Sequence, residues 1–141
     1  MTEPINPVTI RGRDYATGKE RAISISRLWL GTKDSEDWDK VMTFVIWEDP
    51  NDHIVAMCAN EDDFIEAVKG FTEFDYSKVT VQGSEKHRHM SLVLRRRFVS
   101  EPMRVTIYGG KDKSPRTSVE LDYETFMRGL CHLFPKGELA Q

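Results

Sequence analysis

The side chains best equipped for chemistry are Arg95, Arg97, Arg104 and Tyr108. They lie on two neighbouring runs of alternating polarity. Met90, Leu92 and Leu94 take one parity in the first run, with Ser91, Arg95 and Arg97 opposite; Met103, Val105 and Ile107 take one parity in the second, with Arg104, Thr106 and Tyr108 opposite. Side chains alternate along a strand, so the cations and the tyrosine share an outward face. Trp47 is the counterpart of Tyr108 earlier in the chain, and Arg11 and Arg13 occupy the equivalent face there. Lys86, Arg88, Lys111, Lys113 and Arg116 crowd the adjoining loops. Cations hold phosphates, and aromatic faces stack bases at about 1–3 kcal/mol each. The combination suits a single strand better than a duplex, whose bases are already stacked. The competing interpretation is that such residues are ordinary cross-strand partners.

A second constellation is acidic. The net charge of −3 conceals a segregation: Asp34 to Asp75 holds 13 acidic and 2 basic residues, net −11, and the remainder holds 10 acidic and 18 basic, net +8. Within the acidic stretch Trp38 stands among Asp34, Glu36, Asp37 and Asp39, with Glu48 and Asp49 following. An aromatic amid carboxylates fits a protein interface. The alternative function is therefore an interaction module that binds a basic protein, such as a toxin-neutralising immunity protein or an inhibitor.

Catalytic signatures are missing. There is no Walker loop, GxGxxG, GxSxG or HExxH. His87 and His89 share a strand parity, but no third metal ligand stands near them in sequence. A non-catalytic protein without metal or cofactor is expected. Cys58 and Cys131 read as free thiols. No run approaches the ~20 apolar residues of a membrane span. The start, MTEPINP, lacks the basic and apolar regions of a signal peptide. A cytoplasmic location is the expectation.

The elements that must position these residues occur twice. VTIRG, AISISRLWL, MTFVIWE, HIVAMCA and NEDDFIEAVKGF make up Val8 to Phe71. VTVQG, MSLVLRRRF, MRVTIYG, TSVELD and YETFMRGLCHLF make up Val79 to Phe134. Phe64 aligns with Phe126, Val68 with Leu130, and Gly12 with Gly83. Each copy reads as four strands and a closing helix. Asn60 and Asp122 are the expected N-caps. The fold class is α+β, with two four-stranded antiparallel sheets, each carrying a helix, in one domain spanning 1–141 with repeats at 8–71 and 79–134.

This order, duplicated, resembles the Whirly and Pur-type proteins. The residues that carry the likeness are Val8 to Phe71 and Val79 to Phe134, above all the strand ending Val119-Glu120-Leu121 before the helix Tyr123 to Phe134. The resemblance implies sheets packed around paired helices, single-stranded DNA or RNA bound across sheet surfaces and edges, and self-association into a homo-oligomer in some members. The lysine-rich Whirly motif and the Pur-type arginine-glycine-arginine-phenylalanine strand have no counterpart; Met103 to Tyr108 stands where the latter belongs.

Overall fold

The structure is a computed structural model; it describes residues 7–14, 16–30, 39–49, 52–73, 78–84, 88–96, 102–109, 117–135, 137 and 139. These residues form β1 (Val8–Arg13), β2 (Glu20–Leu30), β3 (Asp39–Asp49), β4 (Asp52–Asn60) and α1 (Glu61–Glu73). They continue with β5 (Lys78–Gln82), β6 (Ser91–Arg95), β7 (Met103–Tyr108), β8 (Thr117–Leu121) and α2 (Tyr123–Leu133). The α+β class and the order of elements are as expected. β2 and β3 run further than the apolar pattern alone indicates. They pair continuously from Ala22↔Trp47 to Leu30↔Asp39, which places Asp39 in a strand rather than in the charged loop. Backbone pairing extends a ladder wherever side chains can stay solvated, whatever their polarity.

The strands depart from the expected two sheets. All eight belong to one antiparallel sheet, ordered β4-β3-β2-β1-β8-β7-β6-β5. Each half is a four-strand meander, and the halves join where Arg13 pairs with Glu120. The two outermost strands also meet: Ala59 bridges Gly83, and the Ser84 amide donates to the Cys58 carbonyl at 2.8 Å. The reason is that two open half-sheets would expose four edges with unpaired N–H and C=O groups. Edge-to-edge joining satisfies part of each.

Both joints fall beside glycines that the two halves share. Gly12 immediately precedes the Arg13↔Glu120 pair, and Gly83 forms the Ala59 bridge. A Cβ on Gly12 would stand 2.1 Å from the Glu120 carbonyl oxygen and 2.7 Å from Leu121 Cδ2. The close approach of two backbones therefore excludes a side chain there.

The helices cap and pack as their sequences direct. Asn60 Oδ1 accepts from the Asp62 amide at 2.9 Å and the Asp63 amide at 3.2 Å. Asp122 Oδ2 accepts from the Thr125 amide at 3.0 Å and its hydroxyl at 2.8 Å. The two caps satisfy donors that a helix start leaves orphaned. Phe64, Val68 and Phe71 on α1, and Phe126, Leu130 and Leu133 on α2, are buried in one core. That core also takes Ile10, Ile23, Ile25, Phe44, Leu92 and Val105 from the inner faces of both half-sheets. α1 packs on β5 and α2 on β1, so each helix covers the first strand of the other half. Phe64 meets Phe134 at 6.5 Å between ring centroids, and Phe71 meets Tyr123 at 6.2 Å. The start of each helix thus lies beside the end of the other.

The caps set an acid limit on stability. The Thr125 hydroxyl, then its amide, hold the Asp122 carboxyl below its ordinary 3.8. The Asp14 carboxyl is lowered too, first by the Thr17 hydroxyl at 2.6 Å. A depressed folded pKa means stability that is present above the unfolded value and lost as pH falls through the folded one. The urea midpoint is expected to drop as pH falls below about 5 and on through the lowered carboxyl values, and to drop less in the double variant Asp14→Asn, Asp122→Asn. Equal drops in the two proteins would refute the assignment.

Candidate nucleic-acid interface

Strand register gathers part of the predicted face into a single line. Lys78 pairs with Arg95, Arg95 with Arg104, and Arg104 with Glu120. Glu120 then pairs with Arg13, and Arg13 with Glu20. Paired residues of neighbouring strands point to the same side, so these six side chains form one outward row across six strands. Neighbouring strands lie about 4.8 Å apart. Three cations therefore stand side by side before the first carboxylate is met. Like charges placed opposite one another disfavour a sheet, and an anion laid along the row removes that penalty. Lys78 and Arg95 are exposed and Arg104 is half-buried.

Two further rows lie beside the charged one, the first interrupted by the buried Val93 and Thr106. Thr80, Val93, Thr106 and Ser118 occupy successive strands in register, with the Thr106 and Ser118 hydroxyls 2.9 Å apart. Gln82, Ser91 and Tyr108 make the next row, in which Tyr108 is half-buried. Arg88 and His89 are exposed in the turn before β6. Gln82 Nε2 ties that turn down by donating to the carbonyls of Arg88 and Met90.

The first half-sheet uses its outward residues differently. Arg11, Ala22 and Trp47 are in register on three strands. The Arg11 guanidinium lies 5.8 Å from the centre of the Trp47 ring, so the pair arches over the small Ala22 and buries it. The Trp47 indole N–H donates to Ser24 Oγ at 2.9 Å. Arg11 also faces Glu20 at 3.7 Å. Trp47 is outward as expected, yet it is engaged within the sheet rather than presented for stacking. Arg13 is exposed between Glu20 and Glu120.

Of the acidic residues, Glu48 is exposed and accepts from Arg21 Nη2 at 2.8 Å. Asp39 and Asp49 lie on β3, at Leu30 and Asp52 respectively. Asp34, Glu36, Asp37 and Trp38 lie outside the described residues, as do Lys86, Arg97, Lys111, Lys113, Arg116 and His87. Among the described residues no three His, Cys, Asp or Glu side chains gather where a metal ion could be held. No helix among them is long and apolar enough to cross a membrane.

Four cations that the sequence reading passed over prove important. Lys78 opens the cationic row. Arg21 joins the two halves: Nη1 donates to the Ser118 carbonyl at 2.9 Å and to Asp14 Oδ1 at 3.2 Å. Arg27, only 8% exposed, donates from Nε to Glu61 Oε1 at 2.5 Å and from Nη1 to the Leu133 carbonyl at 2.6 Å. Its guanidinium lies 4.3 Å from the Phe134 ring centre. Arg96 is the mirror of this arrangement. It is buried, 3.9 Å from the Tyr123 ring centre and 5.5 Å from that of Phe71. Each arginine closes one of the two corners where a helix start meets a helix end. A signal for three of the four was present in the parity. Arg27 follows Ile23 and Ile25 at the same spacing, Arg96 follows Leu92 and Leu94, and Lys78 alternates with Val79.

Comparison with family models, with curated proteins and with solved structures gives no match. The function must therefore be argued from the site alone.

Proposed function

We propose that this protein binds single-stranded nucleic acid, without catalysis, along the outward face of its second half-sheet. The observation that carries the reading is the Lys78–Arg95–Arg104 row, three cations in register on neighbouring strands. A flexible strand can lay successive phosphates on such a row, whereas a stiff duplex meets it only where its curvature allows. Beside the cations the exposed Thr80 hydroxyl and Gln82 side-chain carbonyl offer partners to sugars and base edges. In the same reading the halves are copies of one unit, 8–71 and 79–134, packed in the Whirly manner. The shared helix caps, the glycines at both joints and the paired buried arginines support it. A cytoplasmic location and self-association belong to the same proposal.

The test is fluorescence anisotropy of a labelled single strand of about 20 nucleotides, long enough to exceed typical site sizes. Binding weakens as salt rises, because each neutralised phosphate contributes a slope of about −0.7 in log K against log salt for single strands. The Lys78→Ala, Arg95→Ala double variant binds more weakly at low salt. Its slope is shallower by about 1.4, two phosphates' worth. Both positions are exposed, so the fold is retained. A strand that fails to bind even at low salt defeats the reading and turns attention to a basic protein partner for the acidic stretch. A double variant that binds as wild type moves the site elsewhere.

A further inference from the structure

The charged row changes sign at the joint between β8 and β1. From β5 onward it runs Lys78, Arg95, Arg104, Glu120, Arg13, Glu20. At about 4.8 Å per strand the first three cations span about 10 Å, and the row as far as Arg13 spans about 19 Å. Arg13 is exposed and continues the line. With a neutral side chain at 120, one bound strand could therefore use four cations.

The fold does not require a charge at that place. The joint between β4 and β5 is built in the same way. Gly12 precedes Arg13, which pairs with Glu120; Gly83 precedes Ser84, whose amide donates to the Cys58 carbonyl at 2.8 Å. Arg104 stands in register with Glu120, and Thr43 with Cys58. A half-buried cysteine thus fills at one joint the position that a half-buried carboxylate fills at the other.

The reach of the carboxylate is short. Mobile ions screen charge over about 10 Å at 0.1 M salt. Glu120 lies one strand from Arg104 and from Arg13, but three strands, about 14 Å, from Lys78. It therefore opposes a phosphate on Arg13 and leaves the Lys78 end of the row attractive. Glu20 flanks Arg13 on its other side, but Glu20 is shared with Arg11 at 3.7 Å.

We infer that Glu120 sets the limit of the nucleic-acid site: the bound strand lies on β5, β6 and β7 and leaves the sheet at the seam, and removing this charge lets it run on to Arg13. This deepens the single-strand reading and rests on it. The role of Glu120 is to exclude phosphate, not to hold it.

The experiment measures the salt dependence of binding to an oligothymidine of about 20 nucleotides. It compares wild type, Glu120→Gln, Arg13→Ala and the double variant. Glutamine keeps the shape of the side chain and Arg13 is exposed, so the fold is retained. Three phosphate contacts give a slope of about −2.1 in log K against log salt, and four give about −2.8. Glu120→Gln is expected to bind more tightly than wild type at low salt, with the steeper slope. Its advantage shrinks about 2.6-fold when salt rises about fourfold, the share of one phosphate. Adding Arg13→Ala returns the slope to about −2.1, whereas the same substitution in wild type moves it much less. A glutamine variant that binds as wild type overturns the assignment. One that binds more weakly also overturns it, because Glu120 would then serve to hold Arg104 in place for the ligand. A steep slope that persists without Arg13 refutes the extension onto β1. Each of these failures leaves wild-type binding intact, whereas a wild type that fails to bind at low salt defeats the nucleic-acid reading itself.

Discussion

Arg27→Met is expected to destabilise the protein by about 3–5 kcal/mol, the usual consequence of removing one member of a buried ion pair. The reason lies with the partner left behind. Glu61 is 3% exposed and sits in the first turn of α1, with Arg27 Nε 2.5 Å from its Oε1. Methionine replaces the arginine's length but offers no donor. A carboxylate would then remain in the core with its counter-charge gone. The Leu133 carbonyl at the end of α2 loses a hydrogen bond as well, and the Phe134 ring loses the cation above it. Domains of this size are stable by about 5–15 kcal/mol, so the loss takes a large share. Replacing both partners by apolar groups of similar volume is often close to neutral. Arg27→Met with Glu61→Met is therefore expected to be more stable than Arg27→Met alone, despite carrying an additional substitution. Urea denaturation of the four proteins in the cycle decides the matter. A double variant at or below the stability of the single one would falsify the account, since it would mean that Arg27 acts through packing alone.

Gly12→Ala is expected to cost at least about 3 kcal/mol, at the upper end of overpacking substitutions. The new methyl group would lie 2.1 Å from the Glu120 carbonyl oxygen. That neighbour is backbone, held in the ladder by Arg104 and Arg13 on either side. It cannot rotate away as a side chain would. Relief requires β1 and β8 to separate where Arg13 meets Glu120, the one register pair between them. Gly18→Ala provides the contrast. Gly18 has φ of +74° and nothing within 4 Å of a built Cβ. Its substitution carries only the backbone strain of an L-residue in that region, about 1–2 kcal/mol. The urea midpoint should fall substantially further for Gly12→Ala than for Gly18→Ala. The reverse order would show that the joint is softer than its backbone contact implies.

Both positions bear on what a reader of the sequence can see. Strand alternation reveals which side of each strand is buried, and it does so correctly for Ile23, Ile25, Phe44, Leu92 and Val105. The same alternation, applied without regard to polarity, also turns Arg27 and Arg96 inward. Expecting charge to stay outside hides them. A buried arginine is tolerated only where partners await it, and those partners, Glu61 with Leu133 and Tyr123 with Phe71, come from helices distant in the chain. The outward parity of Arg95, Arg104 and Lys78 is likewise legible. Their standing in one line is not, because register depends on how strands align across loops.

Local chemistry in the sequence determined eight alternating strands, two capped helices, the recurrence of the pattern and the side of each strand that meets the core. These follow from backbone geometry and from the period of apolar residues, which need no knowledge of distant chain. The tertiary structure alone decided that the two meanders form one sheet, that the repeated glycines mark their joints, and that three cations from β5, β6 and β7 lie abreast. It also decided that Trp47 serves Arg11 and Ser24 rather than an open face. Each of these depends on which edges meet and in which register, and residues far apart in sequence acquire that relation only when the whole core is assembled.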